Sequence, residues 1–308
     1  MGLTKFPNGL SSFGVPVLGG GNIITTGNIF FVDSVTGSNG NSGADKDHPF
    51  ATIDYAVGKC TANKGDHIIV MPKHVETVTA AAGLDLDVAG ITVYGLGSGA
   101  NRPQVNFTTA TAADMDVDAV DITVYNILFT GGVDALVAPI DVNAADFKLI
   151  GCEWRDVTGQ ATDVILTDAN ASRMLIKDWR HDGDTAAGTN AGIAIVGGDG
   201  IVIDGLRMDG NFAVGGIDIR TTATTDLEVR NGYFRTRNAA DIFLIDTITG
   251  STGIIGPNIY LRLQDNAANI TEAVTGATFV LHQKISVVNA ANEVGMEINW
   301  TASTDAIV

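Results

Sequence analysis

The chain repeats a phrase that first reads Gly90-Ile91-Thr92-Val93-Tyr94-Gly95-Leu96 and returns as Asp121-Ile122-Thr123-Val124-Tyr125-Asn126-Ile127. The first apolar residues of successive copies are Ile91, Ile122, Phe147, Met174, Ile201, Leu227 and, in a fainter copy, Ile259. The steps between them are 31, 25, 27, 27, 26 and 32 residues. Short strand-like segments at this spacing, with turn residues between them and no helical period, are typical of a solenoid of stacked β-coils.

A second phrase precedes each copy of the first. It occurs at Leu84-Asp85-Leu86, Met115-Asp116-Val117, Ile140-Asp141-Val142, Val164-Ile165-Leu166, Ile193-Ala194-Ile195, Ile217-Asp218-Ile219 and Ile242-Phe243-Leu244. Its apolar residues alternate with outward positions that often hold Asp, as expected of a strand with one buried face. Gly, Asn and Asp after each strand supply the bends.

A third strand per coil is expected around Phe129, Trp154, Met208 and Phe234. We therefore predict an all-β fold, a right-handed parallel β-helix of about 7–8 coils. A β-sandwich predicts strands every 8–12 residues or so without a longer period, which disfavours it here.

The chain divides into three predicted regions. Residues 1–27 form an extended N-terminal arm without periodicity, and residues 28–265 form the β-helix. A capping helix is expected near residues 52–62, with Thr52 as its N-cap and Ile53, Ala56 and Val57 on one face. Residues 266–308 are expected to form a β-rich cap or oligomerisation segment.

Composition narrows the class of protein. The formal net charge is −17, from 35 acidic and 18 basic residues, which argues against a nucleic-acid partner. No apolar run is long enough to span a bilayer, so no membrane partner is expected, and the N-terminus does not resemble a signal peptide. Cys60 and Cys152 lie in different coils and are expected to be reduced thiols.

The segment that leads into the first coil resembles the corresponding part of pectate-lyase-like right-handed β-helices. The resemblance rests on Phe31-Val32-Asp33, Gly37, Gly43, Pro49-Phe50-Ala51-Thr52-Ile53, Ala56-Val57 and Gly65-Asp66-His67-Ile68-Ile69-Val70-Met71-Pro72. It implies a fold that carries lyases, hydrolases, adhesins and virion spikes alike, so it does not imply an activity.

The arm carries a narrower resemblance. Phe6-Pro7-Asn8-Gly9-Leu10-Ser11-Ser12-Phe13-Gly14-Val15-Pro16-Val17-Leu18-Gly19-Gly20, joined to a β-helix, is similar to structural proteins of tailed bacteriophages. The resemblance implies a virion protein on the capsid surface or another exposed part of the particle, and we predict a capsid decoration protein made in the host cytoplasm. It also implies a homotrimer whose arm binds the major capsid protein. The arm residues expected to make that contact are Phe6, Leu10, Phe13, Val15, Pro16 and Leu18.

Two alternative functions are a tailspike-like polysaccharide depolymerase, which is an enzyme, and a receptor-binding adhesin. Pectate lyases of this fold are expected to carry an acidic calcium cluster and a nearby arginine, for which Asp116, Asp118, Asp141, Asp218 and Arg220 are candidates. However, strand alternation alone places Asp116, Asp141 and Asp218 at outward, solvated positions. The His-Gly and Arg-x-Lys pairs expected of polygalacturonase-like enzymes are absent from the sequence.

Two further features were weighed as site residues. The polar segment Arg180-His181-Asp182-Gly183-Asp184 is interpreted as a surface turn, because Asp-Gly pairs mark turns. Trp154 and Trp179 stand at similar points of adjacent coils and are expected to stack inside the solenoid rather than bind sugars. We therefore predict no catalytic residue, no metal site and no cofactor.

Overall fold

A computed structural model describes residues 11–12, 15–16, 25–156, 161–183, 189–236, 242–263, 274–275, 278–282, 285–289 and 296–297. Its strands form three long sheets in which neighbours are parallel, apart from one antiparallel pair at the C-terminal end. Eight successive coils each place one strand in every sheet. The predicted all-β parallel solenoid, with about 7–8 coils, is confirmed.

Sheet one contains the first phrase of the repeat. Its strands are Ile29–Val32, His67–Val70, Thr92–Gly95, Thr123–Tyr125, Lys148–Ile150, Leu175–Lys177, Val202–Asp204, Leu227–Arg230, Thr252–Ile255 and Thr278–Leu281. The faint copy at Ile259 belongs to another sheet, so that assignment was wrong. The true next rung is Thr252–Ile255, where Gly253 pairs with Leu227.

Sheet two contains the expected third strand of each coil. Its strands are Val75–Val78, Gln104–Phe107, Leu128–Gly131, Glu153–Asp156, Arg180–Asp182, Arg207–Gly210, Gly232–Thr236, Ile259–Leu263, Ile285–Asn289 and Met296–Glu297. The residues that predicted this strand are in register, since Phe129 pairs with Trp154 and Met208 with Phe234. All four are buried.

Sheet three contains the second phrase. Its strands are Leu84–Asp85, Met115–Val117, Ile140–Val142, Asp163–Thr167, Thr189–Ile195, Phe212–Ile219, Leu244–Asp246 and Val274–Thr275. The inward side chains of the three sheets meet in one continuous apolar core along the solenoid.

One residue in left-handed conformation makes the corner between sheet one and sheet two in successive coils. These corner residues are Asn126, Gly151, Asp178, Gly205 and Asn231, with φ between 53° and 81°. Gly, Asn and Asp tolerate this conformation better than other residues, which explains their recurrence after the strand. The following residue points inward, as shown by the buried Ile127, Cys152, Trp179 and Leu206.

A short helix, Ile53–Val57, covers the core of the first coil. The Oγ1 of Thr52 accepts a hydrogen bond from the amide of Tyr55 at 3.2 Å, which confirms the predicted N-cap. Ile53, Ala56 and Val57 are buried, and the helix packs against the strands Ile29–Val32, His67–Val70 and Leu84–Asp85. The helix is shorter than the predicted range of 52–62.

The β-helix of the structure extends beyond both ends of the predicted region, residues 28–265. Thr25 is buried and its hydroxyl donates to the carbonyl of Gly65, so the solenoid's contacts begin before residue 28. At the other end, Thr278–Leu281 and Ile285–Asn289 add parallel rungs to sheets one and two. The repeat therefore continues past residue 265 before Met296–Glu297 reverses direction. Residues 298–308, the last part of the predicted C-terminal cap, lie outside the described residues.

Candidate functional site

Sheet three carries a column of aspartates on its outer face. Asp85, Asp116 and Asp141 are in register on three successive coils, where parallel strands lie about 4.8 Å apart. Burial, reinforced by nearby carboxylates, raises the pKa of both Asp116 and Asp141 to about 6. Asn143 donates from Nδ2 to Asp116 Oδ1 at 2.7 Å. We call these three residues the acidic column.

Two of the predicted site residues, Asp218 and Arg220, meet farther along the same sheet. Arg220 Nη1 lies 3.3 Å from Asp218 Oδ2, and Arg220 Nη2 bonds Oδ2 of Asp163. Asp163 and Asp218 are only 5% and 3% exposed, and burial raises the pKa of each despite the arginine. We call Asp163, Asp218 and Arg220 the arginine-bridged acids.

The four acids and one arginine considered for a calcium-lyase site therefore do not come together. Leu166 and Ala194 occupy the rungs between Asp141 and Asp218, so the two groups are separated by three strand spacings of about 4.8 Å each. The expectation that Asp218 is solvated was also wrong. The Asp218 carboxylate is buried, and it contacts Arg220, which directly follows the strand that contains Asp218.

The segment beginning at Arg180 is not a surface turn. Arg180–Asp182 is a strand of sheet two, and His181 points inward at 1% exposure. Burial lowers the pKa of His181 to about 3, so the side chain is neutral and cannot serve as a solvent-facing acid or base at neutral pH. Local sequence favoured a turn, whereas pairing with strands on both sides enforces the extended conformation. Asp184 lies outside the described residues.

The tryptophans are core residues, as predicted. Trp154 and Trp179 are 0% and 1% exposed, and the Trp154 ring stacks on Phe107 with centroids 6.2 Å apart. The expected alignment of the two tryptophans with each other was wrong. Trp154 pairs with His181, two residues after Trp179. Trp179 instead occupies the corner position that Cys152 holds one coil earlier.

The cysteines are free thiols, as predicted. Cys152 is buried and Cys60 is partly buried. Burial raises the pKa of both thiols to about 12, which leaves them protonated and unreactive at neutral pH. Among the described residues, no group of three or more His, Cys, Asp or Glu side chains is arranged to hold a metal ion.

Part of the arm is described. Ser11–Ser12 and Val15–Pro16 pair antiparallel as a two-stranded sheet that is separate from the three solenoid sheets. Phe6, Leu10, Phe13 and Leu18, the other predicted contact residues, lie outside the described residues. Among the helices that the structure describes, none combines the length and the apolar character that a bilayer crossing needs.

Sheet two also carries an arginine-rich surface that was not predicted from the sequence. Its outward side chains from Glu153 onward fall into two in-register columns. The first column is Glu153, Arg180, Arg207, Tyr233 and Tyr260, and the second is Arg155, Asp182, Asp209, Arg235 and Arg262. We call these ten residues the arginine face. In the sequence, this surface is marked by the residues directly before and after Trp154, Met208 and Phe234 in the third strand of each coil.

Comparisons with known proteins give one structural similarity. No protein-family model matches the chain, and no curated protein matches it. A solved structure described as a rhamnogalacturonan lyase is similar with a TM-score of 0.46 and 11% sequence identity. The similarity covers 85% of this chain and 84% of that one. We infer no activity from it.

Proposed function

We propose that this chain is a non-enzymatic structural protein of a tailed-bacteriophage virion, a capsid decoration protein whose arm binds the particle and whose solenoid projects from it. The observation that supports this concerns the described strands of the arm. The described arm strands, Ser11–Ser12 and Val15–Pro16, pair with each other and join none of the solenoid sheets. The first coil, in turn, is covered by its own helix, Ile53–Val57.

The composition of the arm supports binding to another protein. It scatters large apolar residues, namely Phe6, Leu10, Phe13, Val15, Pro16 and Leu18, without the period that would let them form a core. Burying such side chains against a partner contributes about 25 cal/mol for each Å² of apolar surface removed from water, which opposes the entropic cost of association. The proposed partner is the major capsid protein of the same particle.

Deletion of residues 1–24 tests the proposal, because the described solenoid contacts begin at Thr25. Purified full-length and truncated proteins would be mixed with particles that lack this chain and sedimented together. The proposal expects the truncated protein to keep its β circular dichroism and melting temperature and to stay in the supernatant. A variant with Lys46→Gln in the exposed loop after the first strand is the matched control and should sediment with particles. Normal sedimentation of the truncated protein would refute the arm assignment.

The homotrimer is part of this proposal and has its own test. Trimerisation would bury side faces and terminal coils of the solenoid. Light scattering at micromolar concentration should give three times the 32.0 kDa chain mass. A monomer mass would remove the trimer from the proposal while leaving the role of the arm open to the sedimentation test.

A glycan lyase or hydrolase is the second candidate, because the arginine-bridged acids favour it. Burial raises the pKa of the Asp163 and Asp218 carboxyl groups above the ordinary value, and carboxyl groups with a raised pKa are suited to act as general acids or bases. Arg220 lies beside both and is able to stabilise developing negative charge. Release of reducing ends or of unsaturated sugars from host-surface polysaccharide, abolished in Asp218→Asn, would favour this candidate. No turnover by the wild-type protein on such polysaccharides would count against it.

A further inference from the structure

The arginine face concentrates positive charge on a strongly acidic chain. Its two columns hold five arginines, Arg155, Arg180, Arg207, Arg235 and Arg262, against the three acids Glu153, Asp182 and Asp209. The chain as a whole carries a net charge of −17. A surface of the opposite sign to the rest of the molecule attracts anions locally, whereas the remaining surface repels them.

The acids of this face orient several of the arginines. Arg155 Nε lies 2.6 Å from Glu153 Oε1, and Arg180 Nε lies 3.7 Å from the same oxygen. Arg235 Nη2 bonds Asp209 Oδ2. The side chains of Arg155 and Arg180 are nevertheless 47% and 52% exposed. Each guanidinium has five N–H donors, so donors remain that point at solvent.

Two arginines have no acidic partner within the described residues. Arg207 is exposed, and its guanidinium carbon lies 4.9 Å from the ring centroid of Tyr233, a cation–π contact that does not use its N–H groups. Arg262 is exposed at the end of the second column, beside Tyr260, whose side chain is 57% exposed. An exposed tyrosine ring next to unpaired arginines suits a ligand with both charged groups and apolar ring faces.

We propose that the arginine face binds a linear anionic polysaccharide that runs along the solenoid axis. Carboxylate or sulfate groups would accept paired hydrogen bonds from the guanidinium groups. Sugar rings would pack on Tyr233 and Tyr260. The rungs repeat about every 4.8 Å, so successive arginines meet successive sugar units of an extended chain. This site is independent of the proposed virion role, which concerns the arm.

Two other occupants fit less well. The phosphates of each strand of a nucleic-acid duplex are about 3.4 Å apart along its axis, a spacing that does not match rungs about 4.8 Å apart. A second copy of the chain offers the acidic column as a partner surface. However, Asp85, Asp116 and Asp141 belong to earlier coils than the arginine face. In a closed ring of copies whose axis is parallel to the solenoid, each coil lies beside the same coil of the next copy. Such a ring cannot bring the acidic column of one copy against the arginine face of another.

Binding of full-length protein to defined polymers tests the proposal. The probes are alginate for carboxylates, dextran sulfate for sulfates, neutral dextran, and single-stranded DNA of similar length, measured by titration calorimetry at two salt concentrations. The test variant is Arg180→Gln/Arg207→Gln/Arg262→Gln. The matched control is Lys148→Gln/Arg173→Gln/Lys177→Gln, which removes the same charge from the edge and face of sheet one.

The proposal expects wild-type protein to bind alginate or dextran sulfate and to bind neither neutral dextran nor DNA with comparable affinity. Affinity should fall at least about tenfold in the test variant and stay near the wild-type value in the control. Tyr260→Ala should weaken binding while leaving the number of ion contacts, read from the salt dependence, unchanged.

Three outcomes would overturn the proposal. The first is equal loss in the test and control variants, which would show that net charge alone governs binding. The second is DNA binding as tight as polysaccharide binding, or no binding of either charged polysaccharide. The third is salt-sensitive self-association that disappears in the test variant, which would assign the face to a second copy. Circular dichroism melting of each variant distinguishes loss of binding from loss of fold.

Discussion

The imidazole of His181 packs against the ring of Phe212, with centroids 5.3 Å apart and ring planes inclined by 55°. His181 stands in the inward column of sheet two between Trp154 and Met208. Neither ring nitrogen has a hydrogen-bond partner among the described residues. The neutral imidazole therefore behaves as a core side chain, and its protonation would place an unpaired charge in the apolar interior.

We predict that His181→Met makes the chain more resistant to acid. The pKa of His181 is near 6.5 when unfolded and about 3 when folded. The unfolded state therefore binds more protons, and wild-type stability falls by about 1.4 kcal/mol for each pH unit below 6.5. Urea unfolding should show similar stability of variant and wild type at pH 7.5 and a more stable variant at pH 4.5. His48→Gln, at an exposed position, is the control. An unchanged pH dependence in His181→Met would contradict the burial argument.

The acidic column should respond to pH in the opposite direction. The folded pKa of Asp116 and Asp141, about 6, lies above the ordinary value of 3.8. The folded state binds more protons than the unfolded state between about pH 4 and pH 6, so the stability of the folded state falls as the pH rises through this range. Asp116→Asn/Asp141→Asn should therefore stabilise the chain more at pH 7.5 than at pH 4.5. Thermal unfolding measures this, with Asp226→Asn in an exposed turn as control. A variant that is less stable than wild type at pH 7.5 would show that these carboxylates are not strained.

Arg102 should be important for stability because it joins three coils. Its Nε donates to Asn126 Oδ1 at 3.0 Å, its Nη1 to Glu153 Oε2 at 2.8 Å, and its Nη2 to the carbonyl of Gly151. Lysine keeps the charge but cannot make all three bonds. Arg102→Lys should cost on the order of 2–3 kcal/mol in denaturant unfolding. The control Arg173→Lys alters an exposed pair with Asp146 and should cost less than about 1 kcal/mol. Equal effects of the two substitutions would contradict the prediction.

The capping helix gives a fourth prediction. Thr52→Ala removes the acceptor of the Tyr55 amide and should cost about 1 kcal/mol, whereas Thr52→Ser retains the hydroxyl and should cost much less. Denaturant unfolding monitored by circular dichroism measures both. If serine and alanine have the same effect, the hydroxyl is not the stabilising group.

The sequence was sufficient to predict the solenoid because inward residues recur at corresponding strand positions in successive coils. Phe129, Trp154, Met208 and Phe234 mark the third strand without any structural information. The position of a residue within a rung was harder to predict, since coils differ in length at their corners. This difference explains why Ile259 was assigned to the wrong sheet and why Trp179 was aligned with Trp154 rather than with Cys152.

The candidate sites depend on contacts between coils, which the sequence expresses only after the register is known. Asp163 and Arg220 are 57 residues apart and bond across coils. Arg180 and Arg207 become neighbours only when their strands pair. Local reading of Arg180-His181-Asp182 as a turn was wrong for the same reason: flanking strands, not local preference, determine its conformation.

The reversal of the chain at Met296–Glu297 affects how whole molecules can meet. A parallel solenoid could in principle lengthen without limit if the last coil of one molecule accepted the first coil of the next. At one end of this chain the helix Ile53–Val57 covers the core, and at the other an antiparallel strand occupies the edge of sheet two. Each of these two features thus presents a surface that a further parallel strand does not match. This arrangement disfavours stacking of one solenoid on the next through sheet two.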